Sequence, residues 1–288
     1  MMTRSPIVAG QFYPDVPDQC REEAEQCLAA RTPDVTLPDH IVTGIVPHAG
    51  WVFSGDVAGM VFHALQRTGQ VVDVVVFLGA SHRYAGARPA VWVQGRWTSP
   101  LGPVAVDEAL AREILEHTSA EDRPEAHRGE HSIEVQIPLL RVAFPSARIV
   151  PIVVPATCEA VQFGKDLSRV LQGRPSVACI ASTDLTHYGP RYGFTPAGQG
   201  AKGLAWAKTV NDARFIEAAL AMDAEAVQSG ALETLSACGP GAAGAAVAAA
   251  RELGREKGIL LAHTTSAEVM RRFGQTSDEA VGYAAIVY

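Results

Sequence analysis

The sequence lacks paired cysteines, runs of basic residues and any apolar stretch of membrane-spanning length. Its five cysteines (Cys20, Cys27, Cys158, Cys179 and Cys238) are an odd set with no C-x-x-C pair. That pattern argues against a disulfide framework or a zinc ribbon and fits a reducing cytoplasm. With 24 Lys and Arg against 31 Asp and Glu the net charge is −7, and no basic run marks a nucleic-acid partner. The longest run of small apolar residues, Ala242 to Ala250, is far short of the ~20 that span a bilayer. The amino-terminal residues reach Gln11 and Pro14 before an apolar segment of signal length accumulates, so no secretory signal is expected. Repeats and low-complexity linkers are also missing, which favours a single domain over residues 1–288.

What is present is a core. The chain is 48% hydrophobic and 19% charged, apolar enough to fill a large α/β interior. Buried strands are expected at Ile41 to Val46, Val71 to Leu78, Pro89 to Val93, Arg148 to Val154 and Ser176 to Ala181, with closing strands at Ile259 to Ala262 and Ala280 to Tyr288. The last should pair beside a central strand. Apolar periodicity predicts helices over Asp18 to Ala30, from Asp56 onward, and over Glu159 to Leu171, Leu204 to Leu220, Asp223 to Ser229 and Ala242 to Leu253. Asp107 is placed to cap a further helix running to about His117. Thr32 to Asp39, Trp97 to Pro103 and Glu121 to Gly129 read as loops, and Gly193 to Gly203 as a glycine-bearing site rim. Ser132 is positioned as an N-cap with Glu134 in the first turn, and Pro138 should kink that helix or restart it.

Two of the strands end alike. Ile41 to Val46 runs into Pro47-His48-Ala49-Gly50, and Val71 to Leu78 into Gly79-Ala80-Ser81-His82. A lone histidine there is most simply a satisfied loop residue. Two at the same edge of a parallel sheet form a constellation where α/β folds keep their ligands. A third strand leads to Asp184-Leu185-Thr186-His187, residue types suited to acid–base chemistry or metal binding, although Asp184 can also cap the next turn. His131 and Glu134, three apart, share a helical face, either for local hydrogen bonding or to support ligands from behind. Cys238 precedes a helix of Ala, Gly and Val, whose dipole should lower the thiol pKa.

Taken together these segments resemble the Memo family, whose microbial members are similar to component B of the AmmeMemoRadiSam system. The resemblance runs through the arm from Arg4 to Pro14, Pro47-His48-Ala49-Gly50-Trp51, Leu78-Gly79-Ala80-Ser81-His82, Gly129-Glu130-His131-Ser132-Ile133-Glu134, Ser182 to Gly189, Ala237-Cys238-Gly239 and Gly282-Tyr283-Ala284-Ala285. It implies a three-layer αβα sandwich around a mixed, mostly parallel sheet, similar to class III extradiol dioxygenases. It also implies a metal set of His48, His82 and Cys238, with Asp184 and His187 lining the same pocket as catalytic partners. The dioxygenases use a carboxylate where this chain offers Cys238. Ala80 and Arg83 stand where family members often carry Pro and a second His.

Thiolate with two imidazoles suits iron or copper and admits zinc. The expected activity is therefore metal-dependent redox chemistry on an unknown small-molecule or peptide ligand, with His187 oriented by Asp184. The resemblance further implies a functional link to the other AmmeMemoRadiSam components, a radical SAM protein among them. Two other readings use the same residues. One is a non-catalytic metal- or peptide-binding adaptor. The other is a hydrolase with Cys238 as nucleophile and His187 and Asp184 behind it.

Overall fold

The computed structural model describes residues 2–30, 35–157 and 159–288. Cys158 and the start of the loop expected from Thr32 lie outside the described residues. The chain begins with β1 (Thr3–Arg4) and α1 (Pro17–Leu28). It continues through β2 (Thr43–Val46), α2 (Trp51–Arg67), β3 (Val74–Gly79) and β4 (Ala90–Val91). Next come β5 (Arg96–Ser99), β6 (Gly102–Ala105), α3 (Glu108–His117) and β7 (Glu121–Asp122). Then follow α4 (Ile137–Ala143), β8 (Arg148–Val153), α5 (Glu159–Leu171) and β9 (Val177–Ser182). The remaining elements are β10 (His187–Tyr188), α6 (Gly200–Trp206), α7 (Ala213–Leu220), α8 (Ala231–Thr234) and α9 (Pro240–Glu252). The chain closes with β11 (Ile259–Thr265), α10 (Ser266–Arg272) and β12 (Ala280–Val287).

The main sheet runs β10-β12-β2-β9-β3-β8-β4-β7, with β11 on the free side of β12. Its centre, β2, β9, β3 and β8, is parallel, and β12 joins β2 antiparallel. Those four strands are almost wholly buried, as runs rich in Val and Ile should be when both faces are covered. Helices α1, α2 and α4 cover one face; α5 and α9 cover the other, so the molecule is an αβα sandwich. The small residues of α9 permit a close approach to α5, where a Cβ on Gly164 would strike the Ala245 backbone. Among the described residues, no helix is long and apolar enough to cross a membrane.

Several expectations change. The loop expected at Trp97 to Pro103 is a hairpin, β5–β6, on which β1 pairs in parallel to make a separate three-stranded sheet. Pro103 and Gly102 obscure its alternation in the sequence. The polar stretch from Glu121 forms β7 and a 3-10 turn, Pro124–His127, whose His127 is fully buried. Helix α2 starts at Trp51, five residues before its periodicity becomes visible, because Ser54 and Gly55 are buried in its first turns. The helix expected over Leu204 to Leu220 contains a π-helical segment, Ala207–Asp212, which leaves no signature in the apolar spacing. Ser132 caps nothing; a 3-10 turn, Glu134–Gln136, leads into α4, with Pro138 in its first turn.

Candidate metal centre

Three adjacent parallel strands build this site. In register, Val46 of β2 faces Ser182 of β9, and Leu78 of β3 faces Ala181. The chain therefore leaves β2, β9 and β3 at one edge, and the next residues out are His48, Asp184 and His82. A fourth segment, Glu130 to Ile133, closes on this edge. It can do so because residue 79 is glycine: a Cβ there would lie 2.7 Å from Ile133 and 2.8 Å from the Ser132 hydroxyl.

His48 is 1% exposed. Its ring Nδ1 lies 2.9 Å from Ser182 Oγ, and that hydroxyl donates to the Ser132 carbonyl at 2.8 Å. A hydroxyl has one hydrogen, so Ser182 must accept from His48 Nδ1–H, which leaves the Nε2 lone pair facing the site. Burial, and then the charges of His82 and His131, hold the His48 pKa well below its usual value, so the ring is neutral as metal binding requires.

His82 is also held through Nδ1, by another route. Its Nδ1 is 3.0 and 3.2 Å from the two oxygens of Glu130, one of which, Oε2, also accepts the His82 backbone N–H at 2.9 Å. A carboxylate only accepts, so Nδ1 carries a proton, and Nε2 is the nitrogen left for a metal once its own proton is displaced. This is the carboxylate–histidine arrangement that fixes ring orientation and raises basicity at metal sites. Burial opposes charge on His82, but hydrogen bonds with Cys238 and Glu130 outweigh it and raise the metal-free pKa to about 10. Glu130, 2% exposed, also accepts the His131 and Ser132 N–H groups, both at 2.9 Å. Burial pushes its carboxyl up, yet His82 and the N–H donors prevail and keep it well below the usual carboxylate range.

His131 stacks on His82, with centroids 5.0 Å apart and planes at 13°, and meets the edge of His48 at 5.4 Å. Ligand atoms of His48, His82 and His131 all lie within 4.8 Å of one another. His131, expected either in local hydrogen bonding or in support of ligands from behind, places its ring beside those of His48 and His82. Glu134, its expected partner on a shared helical face, turns away to bind Arg4 and the amino-terminal arm.

Cys238 joins this cluster from the segment before α9. Its Sγ is 3.2 Å from His48 Nε2 and receives the Asp184 N–H at 3.3 Å. Its own N–H bonds the Asp184 carbonyl, and Leu185 bridges to Ala237. The expected fall in the thiol pKa does not occur in the metal-free protein. Burial raises it, only partly offset by the His82 hydrogen bond. The helix starts at Pro240, and the Gly239 N–H goes to Thr183 Oγ1, so no free helix N–H reaches the sulfur.

Asp184 and His187 act on each other through charge, and each has its own hydrogen-bond partner. The Asp184 carboxylate accepts the His48 N–H at 2.7 Å, and burial pushes its pKa up. His187 is oriented by the Leu185 carbonyl, 3.0 Å from Nδ1, and by the edge of Tyr192 at 5.1 Å. Asp184 therefore clamps the His48 backbone, and the half-buried His187 ring is held through Nδ1.

Sequence reasoning missed Ser182, Glu130 and the pair Asp212–His263. Both lie in segments that carry the resemblance, but Ser182 just follows an expected strand and Glu130 an expected loop, so neither carried a periodic signal for its role. Asp212, 1% exposed, holds the Thr186 N–H and His263 Nε2, each at 3.0 Å, and so fastens the segment between Asp184 and His187.

The chain is similar over its whole length to known proteins. A MEMO1 family protein of Pyrococcus furiosus is 37% identical over 300 residues, covering 99% of both chains. One of Thermococcus onnurineus is 36% identical over 299 residues, covering 100% of this chain and 99% of the relative. The crystal structure of uncharacterized protein JW3007 from Escherichia coli K12 superposes with a TM-score of 0.55 at 14% identity, over 85% of this chain and 99% of that one, a likeness of fold. The family model described as Memo-like protein matches residues 4–287, and with these relatives it establishes that the chain belongs to the Memo-like family.

Proposed function

We propose that this chain is a metal-dependent redox enzyme that holds one iron or copper ion between His48, His82 and Cys238, with His131 as an additional imidazole at the same point. The observation that carries the proposal is the matched pair of Nδ1 hydrogen bonds. Ser182 and Glu130 each engage an Nδ1, which leaves the Nε2 of both rings as the ligand atom in one cluster beside a sulfur. Two hydrogen-bonded supports for two converging imidazoles are hard to account for in a loop that binds nothing. A bound ion would supply one-electron chemistry and Lewis acidity. The chain's own residues do the rest. Glu130 and Ser182 fix the imidazoles, Asp184 fixes the His48 backbone, and His187 takes up or returns a proton through Nε2 at the rim. The substrate is a phenolic or other chelating molecule, and coupling to the remaining AmmeMemoRadiSam components, a radical SAM protein among them, belongs to the same proposal.

Elemental analysis after anaerobic reconstitution tests the centre. About one ion per chain is expected, falling severalfold in His48→Ala and His82→Ala. Unchanged content in both variants contradicts a shared centre. For turnover, loaded protein should consume dioxygen with a chelating substrate, and His187→Ala should slow this by roughly 10²–10⁴-fold. A flat response from fully loaded protein that binds peptide favours the adaptor.

The 3.2 Å contact of Cys238 with His48 gives a second reading, a thiol nucleophile with His48 as base. The base in this contact is His48, so the pairing with His187 and Asp184 is not the one the hydrogen bonds support. Alkylation separates the two. A ligand sulfur is shielded by metal and exposed by chelation, whereas a nucleophile alkylates with metal present.

A further inference from the structure

The segment carrying Glu130 and His131 is gripped by the amino-terminal arm. Arg4 donates to the carbonyls of Glu130 and His127 and to the Glu134 carboxylate, the last at 2.8 Å, while its guanidinium lies 4.2 Å from the centre of the Trp97 ring. Glu134, 1% exposed, accepts Ile7 N–H at 2.8 Å, Val8 N–H at 2.9 Å and the Tyr13 hydroxyl at 3.0 Å. Phe12 places its ring against the edge of His131 at 4.9 Å, and its carbonyl accepts the first N–H of α2, from Trp51, at 2.7 Å. The base of the arm is fixed separately, because β1 pairs with β5.

We propose that the arm and the metal centre are thermodynamically coupled. Arg4 and Glu134 are positioning residues that hold Glu130 and His131 at the cluster, and metal occupancy in turn latches residues 7–13. The proposal rests on the metal reading given above. Arg4 bonds the backbone of Glu130, the residue whose carboxylate orients His82, so a shift of the arm moves a ligand and its support together. Glu134 is a buried charge neutralised almost entirely by the arm. Releasing residues 7–13 strips Glu134 of the Ile7, Val8 and Tyr13 donors and leaves it with Arg4 of the fixed base, which makes docking of this segment a two-state matter. Coupling of this kind is reciprocal: if docking improves metal affinity, metal improves docking by the same factor.

Hydrogen exchange on the full chain, with and without Co(II) as probe, measures the reciprocal half. Co(II) is expected to slow exchange of the Ile7 and Val8 amides by roughly fivefold or more, a change that a purely structural arm would not show. Arg4→Gln and Glu134→Gln are expected to weaken Co(II) binding on the order of tenfold, with Arg4→Lys in between. Should either variant fail to fold, the exchange measurement on the unaltered chain still decides. Exchange unaffected by Co(II), in protein shown to have bound it, overturns the coupling alone. Failure of the unaltered chain to bind Co(II) overturns the metal reading and the coupling with it.

Discussion

Ser182 and Glu130 determine what the two histidines can do. Without the Ser182 hydroxyl, His48 Nδ1–H has no acceptor and the ring can turn or change tautomer. Ser182→Ala should therefore weaken metal binding by roughly 10–100-fold while leaving β9 intact, and a metal titration showing wild-type affinity would remove Ser182 from that role. Glu130→Gln should cost a comparable factor. The pH dependence of the metal-free protein follows from His82. Its folded pKa, about 10, lies above the unfolded value near 6.5. That stabilisation is complete below pH ~6.5 and is lost as pH rises through about 10. Glu130 has the opposite sign: its depressed pKa stabilises above about pH 4.3 and fails as acid protonates it. Metal competes with the proton on His82 and with that on Cys238, so affinity should rise with pH between 7 and 10. Titrations at three pH values check this, and a fall in affinity over that range contradicts it.

Among the elements, parallel β2, β9 and β3 were legible because Val and Ile mark strands buried on both faces, and their shared edge followed from that. The hairpin β5–β6 was hidden by Gly102 and Pro103, and the π-helical segment by the absence of any composition that encodes it. The place of His131 beside His48 and His82 was hidden because it depends on Gly79 admitting the 130–133 segment, a contact between residues far apart in sequence. Close packing of elements is itself testable. Gly164 of α5 lies against Ala245 of α9, and a methyl group there meets backbone that cannot yield. Gly164→Ala should destabilise the chain by about 1–3 kcal/mol in denaturant unfolding. A neutral result would mean that the two helices are looser than described.

For the whole molecule, a wide mixed sheet with helices on both faces carries a polar cluster at the carboxyl edge of its central strands, where doubly covered sheets bind ligands. The family and architecture were readable from the order of the motifs. The supports of the site were not, since hydrogen bonds such as those of Glu130 join segments that have no local pattern in common. The central claim is that His48, His82 and Cys238 meet on one ion. X-ray absorption of the zinc-loaded protein tests it most directly. Nitrogen at about 2.0–2.1 Å together with sulfur at about 2.3 Å is the expected first coordination sphere, and the sulfur should vanish in Cys238→Ser. A spectrum with nitrogen and oxygen only, unchanged in Cys238→Ser, would contradict it.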